Sequence, residues 1–180
     1  DAAAQVASST TGPEFRVTTE TAGSQSAPSV ATDADGDYVV VWDSFGQDGN
    51  NLGVYAQRYD ATGVAQGSEF LVNTETSESQ RDPVVAMDAD GNFVVVWESR
   101  DQDGSSDGIF AQRYDAAGVA QGAEFQVNTE TTSNQDDPSV AMDADGDFVI
   151  VWESFSSSGS ADGNGDGIYA QRYNAAGVAQ

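Results

Sequence analysis

The sequence predicts an all-β fold of three repeated four-stranded antiparallel units, and three observations lead there. The string Glu-Phe-x-Val opens at Glu14, Glu69 and Glu124, so one unit recurs every 55 residues. Within each unit, short β-branched and aromatic runs alternate with Asp, Gly, Ser and Pro clusters. No stretch of the 180 residues carries a helical period. A repeat of this size signals stacked units, because one copy cannot bury its apolar face alone. The boundaries read as an N-terminal segment over 1–13 and repeats over 14–68, 69–123 and 124–180.

Each unit supplies four runs. The first, as in Glu14-Phe15-Arg16-Val17, alternates apolar and polar residues and predicts a half-exposed strand. The second follows Pro28, Pro83 or Pro138 and is made of small residues such as Ser29-Val30-Ala31, which suits a crowded position. The third is apolar throughout: Tyr38-Val39-Val40-Val41-Trp42, Phe93-Val94-Val95-Val96-Trp97 and Phe148-Val149-Ile150-Val151-Trp152. So short and β-branched a run predicts a strand buried on both faces. The fourth, Val54 to Tyr59 and its copies Ile109 to Tyr114 and Ile168 to Tyr173, alternates again. A tight Asp-Ala-Asp-Gly link joins the second run to the third, and a longer Gly, Ser and Asp loop joins the third to the fourth. Links that short favour sequential antiparallel pairing, since parallel strands need long crossovers. Such meanders, with middle strands covered on both sides, are β-propeller-type blades.

The string from Pro138 to Ser154, Pro-Ser-Val-Ala-Met-Asp-Ala-Asp-Gly-Asp-Phe-Val-Ile-Val-Trp-Glu-Ser, resembles the blade repeats of bacterial secreted β-propellers. The likeness is to the broad group that takes in FG-GAP and sialidase-like repeats, and it runs from Glu14 to Gln180. It implies the fold and no single function, because such blades serve adhesion, sugar binding, scaffolding and hydrolysis alike. The chain lacks the arginine-rich catalytic centre of sialidases and differs from FG-GAP in the spacing of its acidic loop, so no enzymatic activity is carried over. Three blades are fewer than the usual four to eight. The last outer strand is therefore expected from residues 14–18 of the same or another chain, in a homo-oligomer or head-to-tail assembly.

Composition narrows the partners. Thirty Asp and Glu stand against six Arg and no Lys, a formal charge of −24. That excludes nucleic acid and anionic membrane surfaces, and it favours cations, basic surfaces or simple solubility. With no Cys and no His, disulfides, thiolate metal sites and Ser-His chemistry are excluded. No apolar run approaches the roughly 20 residues of a membrane span. The expected location is extracellular or at the cell surface.

Calcium is the cofactor the acidic turns suggest. Asp33, Asp35 and Asp37, then Asp88 and Asp90, then Asp143, Asp145 and Asp147 set carboxylates beside a glycine, as a hard-oxygen cation site requires. The competing reading is a hairpin turn in which glycine is left-handed and Asp caps the backbone. Arg58, Arg113 and Arg172 fall beside these turns and are expected to pair with their aspartates. In the long loop of the third unit, Asp162, Asn164 and Asp166 suggest a looser calcium site, although Tyr173 stands where an EF-hand needs Glu. Trp42, Trp97 and Trp152 read as packing residues more than sugar platforms. The acids that follow them, Asp43, Glu98 and Glu153, offer carboxylate pairs of the kind glycoside hydrolysis uses, but their repetition argues for structure. The expected function is a non-catalytic extracellular module for adhesion, surface structure or self-assembly through blade stacking and strand exchange. The alternative is a calcium-assisted, lectin-like propeller that binds glycans.

Overall fold

The computed structural model describes residues 12–156 and 165–180, apart from the side chain of Ser156. Three antiparallel sheets follow one another along the chain. The first holds β1 (Gln25–Thr32), β2 (Tyr38–Phe45), β3 (Leu52–Tyr59) and β4 (Ala65–Leu71), in that order. The second holds β5 (Gln80–Met87), β6 (Phe93–Arg100), β7 (Asp107–Tyr114) and β8 (Phe125–Gln126). The third holds β9 (Gln135–Met142), β10 (Phe148–Ser156) and β11 (Gly165–Tyr173), with β10 central. The all-β expectation holds, with sheets of four, four and three strands that do not join into a closed barrel among the described residues.

The sheets cut across the sequence repeats. Phe70 lies in β4 opposite Ala56, and Phe125 lies in β8 opposite Ala111, so the opening string of a unit completes the sheet of the unit before it. Its side chains also reach forward. The rings of Phe70 and Phe125 tilt against Tyr114 and Tyr173 of the following sheet at 5.4 Å. Phe15 makes the same contact with Tyr59 at 5.5 Å, although residues 14–18 lie outside any strand of this chain.

Two apolar layers hold the three sheets together, and β6 lies between them. Phe93, Val95 and Trp97 face the first sheet, where they meet Val39, Val41 and Val54. Val94 and Val96 face the third sheet and meet Phe148, Ile150 and Trp152. Trp97 is wholly buried. Burying a side chain of this kind contributes about 1.5–3 kcal/mol, well above the roughly 0–1 kcal/mol of an exposed ion pair, so apolar layers and not surface charges hold the stack. The expectation that the Trp strands are covered on both faces is met fully by β6, which has sheets on both sides.

A buried polar stitch joins neighbouring sheets. Asn73 accepts the Val54 N–H at 2.7 Å and donates to Gln80 at 3.2 Å, which links the first sheet to the second. Asn128 does the same with Ile109 at 2.8 Å and Gln135 at 2.9 Å. Polar groups this deep are tolerated because each finds a partner.

Candidate functional site

The acid that follows each tryptophan lies opposite the residue two places before each proline. Ser26 pairs with Asp43, Arg81 with Glu98 and Asp136 with Glu153. There the ladder slips by a bulge, since proline has no N–H to give. The residues just before proline, Ala27, Asp82 and Asp137, take φ of 46°, 52° and 50°. A non-glycine residue in that region costs about 1–3 kcal/mol, and it persists here in all three copies. The strain frees a backbone N–H for the preceding sheet. Asp82 donates to Asp43 Oδ2 at 3.4 Å, and Asp137 to Glu98 Oε1 at 2.8 Å.

On this shared backbone the side chains differ. In the first sheet Ser26 donates to Asp43 at 2.5 Å. In the second, the Arg81 guanidinium lies 3.0 Å from both Glu98 Oε2 and Asp107 Oδ2 and 3.4 Å from Asp82 Oδ2. In the third, Asp136 takes the place of that arginine. Its carboxylate gathers with those of Asp137 and Glu153, one oxygen from each lying within 4.8 Å of the others. Asn134, Phe155 and Asp166 complete the walls of a recess around Asp136 and Glu153.

Crowding and burial set the protonation of these groups. Burial pushes the Glu98 carboxyl up to about 7, against the pull of the Asp137 N–H and Arg81. Burial, then Asp137, Glu153 and Asp107, raises Asp136. Burial and the neighbouring Asp43 raise Asp82. Asp82, Glu98 and Asp136 therefore hold their protons to higher pH than isolated carboxyls do.

The residues singled out in the sequence fall elsewhere. Asp33, Asp88 and Asp143 each cap their own turn, accepting two backbone N–H groups at 2.9–3.0 Å. Asp37 and Asp147 accept the N–H of Ala61 and Ala175 at 2.8 Å, and Asn92 donates to Asp88 at 2.7 Å. Asp35, Asp90 and Asp145 are exposed. Among the described residues, Asp136, Asp137 and Glu153 are the one group of three carboxylates drawn this close. Asp162 and Asn164 lie outside the described residues, and Asp166 sits at the start of β11.

The expected Arg–Asp pairing at the turns is corrected at Arg58 and Arg113. Arg58 donates to the Ala117 carbonyl at 2.6 Å, and Arg113 to the Ala176 and Ala175 carbonyls at 2.7 and 2.6 Å. These guanidiniums bind the turn backbone of the following unit, because that carbonyl edge lies across their sheet. Trp42 and Trp152 stack on Tyr55 and Tyr169 of their own sheets at 6.5 and 6.2 Å, as packing residues do. Arg81, Asp82, Asp136 and Asp137 were not foreseen as site residues. The signal was present in the sequence: the dipeptide before proline changes from Ser-Ala to Arg-Asp to Asp-Asp inside an otherwise repeated Gln-x-x-Pro string.

No family model matches the chain, and no curated protein is found similar to it. Solved structures do share its fold. The endo-arabinase of Bacteroides thetaiotaomicron VPI-5482 superposes with a TM-score of 0.51 at 16% identity, over 83% of this chain and 57% of that one. A protein of Parabacteroides distasonis ATCC 8503 assigned as a glycoside hydrolase gives 0.52 at 13% identity, over 87% and 49%. The chain thus spans about half the length of these structures. At such identities the likeness is one of fold. The expectation of a non-catalytic adhesion, surface or self-assembly module, and of a chain that is no enzyme, is corrected by these two structures, both of which are named as carbohydrate-cleaving proteins. The glycan-binding alternative agrees with them better.

Proposed function

We propose that this chain is part of a secreted, carbohydrate-active β-propeller that engages a glycan at the carboxylate cluster of its third sheet. The observation that carries the reading is the gathering of Asp136, Asp137 and Glu153 at a recess lined by Asp136 and Glu153, in a fold shared with an endo-arabinase. Carboxylates accept hydrogen bonds from sugar hydroxyls, and a calcium ion among them would offer further coordination to the same hydroxyls. Calcium at the turn aspartates is a separate proposal. Among the described residues no helix is long and apolar enough to cross a membrane.

Hydrolysis is the second reading, favoured by the raised carboxyl of Asp136 beside two others within 4.8 Å. Retaining glycosidases set two carboxyls about 5 Å apart, one as acid and one as nucleophile. The test is a polysaccharide panel that includes arabinan, read by calorimetric binding and by release of reducing ends. Binding lost in Asp136→Asn and Glu153→Gln supports the reading, and reducing ends lost in the same variants assign hydrolysis. A chain that binds no glycan in the panel overturns both.

A further inference from the structure

The outer faces of the stack repeat surfaces that mate inside it. Val149, Val151 and Ile168 occupy in the third sheet the positions that Val94, Val96 and Ile109 occupy in the second. The second-sheet residues are wholly buried against the third sheet. Among the described residues no sheet covers their third-sheet counterparts, and Ile168 is 73% exposed where Ile109 is 0%. At the opposite end, Val30 is 62% exposed, while its counterpart Val85, which packs toward the first sheet, is 8% exposed. An apolar recess lined by Val17, Pro28, Val40 and Trp42 opens on that same face.

We infer that the open face of the third sheet receives the open face of the first sheet of a second copy of this chain. The occupant follows from continuity. Each open face is a copy of one half of an interface already built twice within the chain, and the half that complements it is carried on the opposite face of this same stack. Such a contact is heterologous, and its rotation decides between a closed ring and a filament. It also reaches the carboxylate site. Asp43 and Glu98 each receive a bulge N–H from the next sheet, and in the docked pair the Ala27 N–H of the incoming copy takes that position against Glu153. The inference does not depend on the carbohydrate reading.

Light scattering on the intact chain tests it, at a salt concentration of about 0.15 M and above, where the repulsion between two chains of charge −24 is screened. The expected mass is a multiple of the single chain. Ile168→Asp and Val30→Asp each break one face and are expected to give single chains with unchanged circular dichroism, since both sites are exposed. Ile168→Ser, which removes apolar area without adding charge, is expected to weaken association in the same direction. Mixing Ile168→Asp with Val30→Asp restores one intact interface, and a two-chain mass is expected. A wild-type chain that stays single at all concentrations overturns the inference. So does assembly that survives Val30→Asp, or a mixture of the two variants that stays single.

Discussion

Phe70 belongs to the first sheet by its backbone and to the second by its ring, which meets that of Tyr114 at 5.4 Å and 58°. The Tyr114 hydroxyl completes the contact by donating to the Val72 carbonyl at 3.2 Å. One strand end thereby fixes the distance between two sheets. Phe70→Ala is expected to destabilise the chain by about 3 kcal/mol through the cavity it leaves, and Tyr114→Phe by about 1 kcal/mol. Urea denaturation of the two variants and their double checks this. The double should fall short of additivity, because the rings touch.

Arg81 neutralises two carboxylates that water barely reaches, Glu98 at 3% and Asp107 at 8% exposure. Removing one partner of a buried ion pair costs about 3–5 kcal/mol, because the charge left behind has lost its solvent. At pH 8, where Glu98 has lost its proton, Arg81→Leu is expected to lose stability on that scale in chemical denaturation. Adding Glu98→Gln is expected to recover part of it.

Glu98 also gives the fold a pH signature. Its carboxyl is raised from 4.5 to about 7 by burial, so between those values the folded chain holds a proton that the unfolded chain has released. Stability from this group is present at the acid end of the window and is lost as pH rises through about 7. Melting temperature measured from pH 4.5 to 8 should show that decline, and Glu98→Gln should flatten it. Asp60, Glu75 and Glu130, held low by hydrogen bonds from their own turns, act in the opposite direction below this window.

Two glycines separate backbone strain from side-chain crowding. Gly67 and Gly118 have φ of 78° and 79°, but a Cβ on Gly67 meets nothing within 4 Å, whereas on Gly118 it stands 3.0 Å from Arg58 Cδ. Gly67→Ala is expected to cost about 1–2 kcal/mol, the strain of a left-handed alanine. Gly118→Ala should cost more, because Arg58 must leave the Ala117 carbonyl. Paired thermal melts decide this.

Calcium bound by the folded chain at Asp136, Asp137 and Glu153 must raise its melting temperature. At a hundred times the dissociation constant the gain is about 2.7 kcal/mol. Calorimetric melts with calcium and then with chelator measure it. Glu153→Gln is expected to remove most of the response, whereas Asp33→Asn leaves it in place.

The strands were legible in the sequence because their signals are local. Val94-Val95-Val96-Trp97 reads as doubly covered from its composition alone, and the structure places it between two sheets. The turns were legible too, since Asp33 and Gly36 do what such residues do in any tight hairpin. The site was not legible, for two physical reasons. Asp137 meets Glu98 across 39 positions, through a backbone N–H that only a bulge sets free, and no pattern of side chains announces such a bond. Arg58 misled for a related reason: the nearest opposite charge in sequence lost to a carbonyl brought from 59 residues away.

The bulge before each proline has an evolutionary consequence. The donor of its cross-sheet bond is a main-chain N–H, so the bulge forms with three different pairs of side chains before the proline. Each sheet thereby carries the same socket, written as Ser-Ala, Arg-Asp or Asp-Asp, in which selection or an engineer can install a new reagent provided the buried acids around it stay paired.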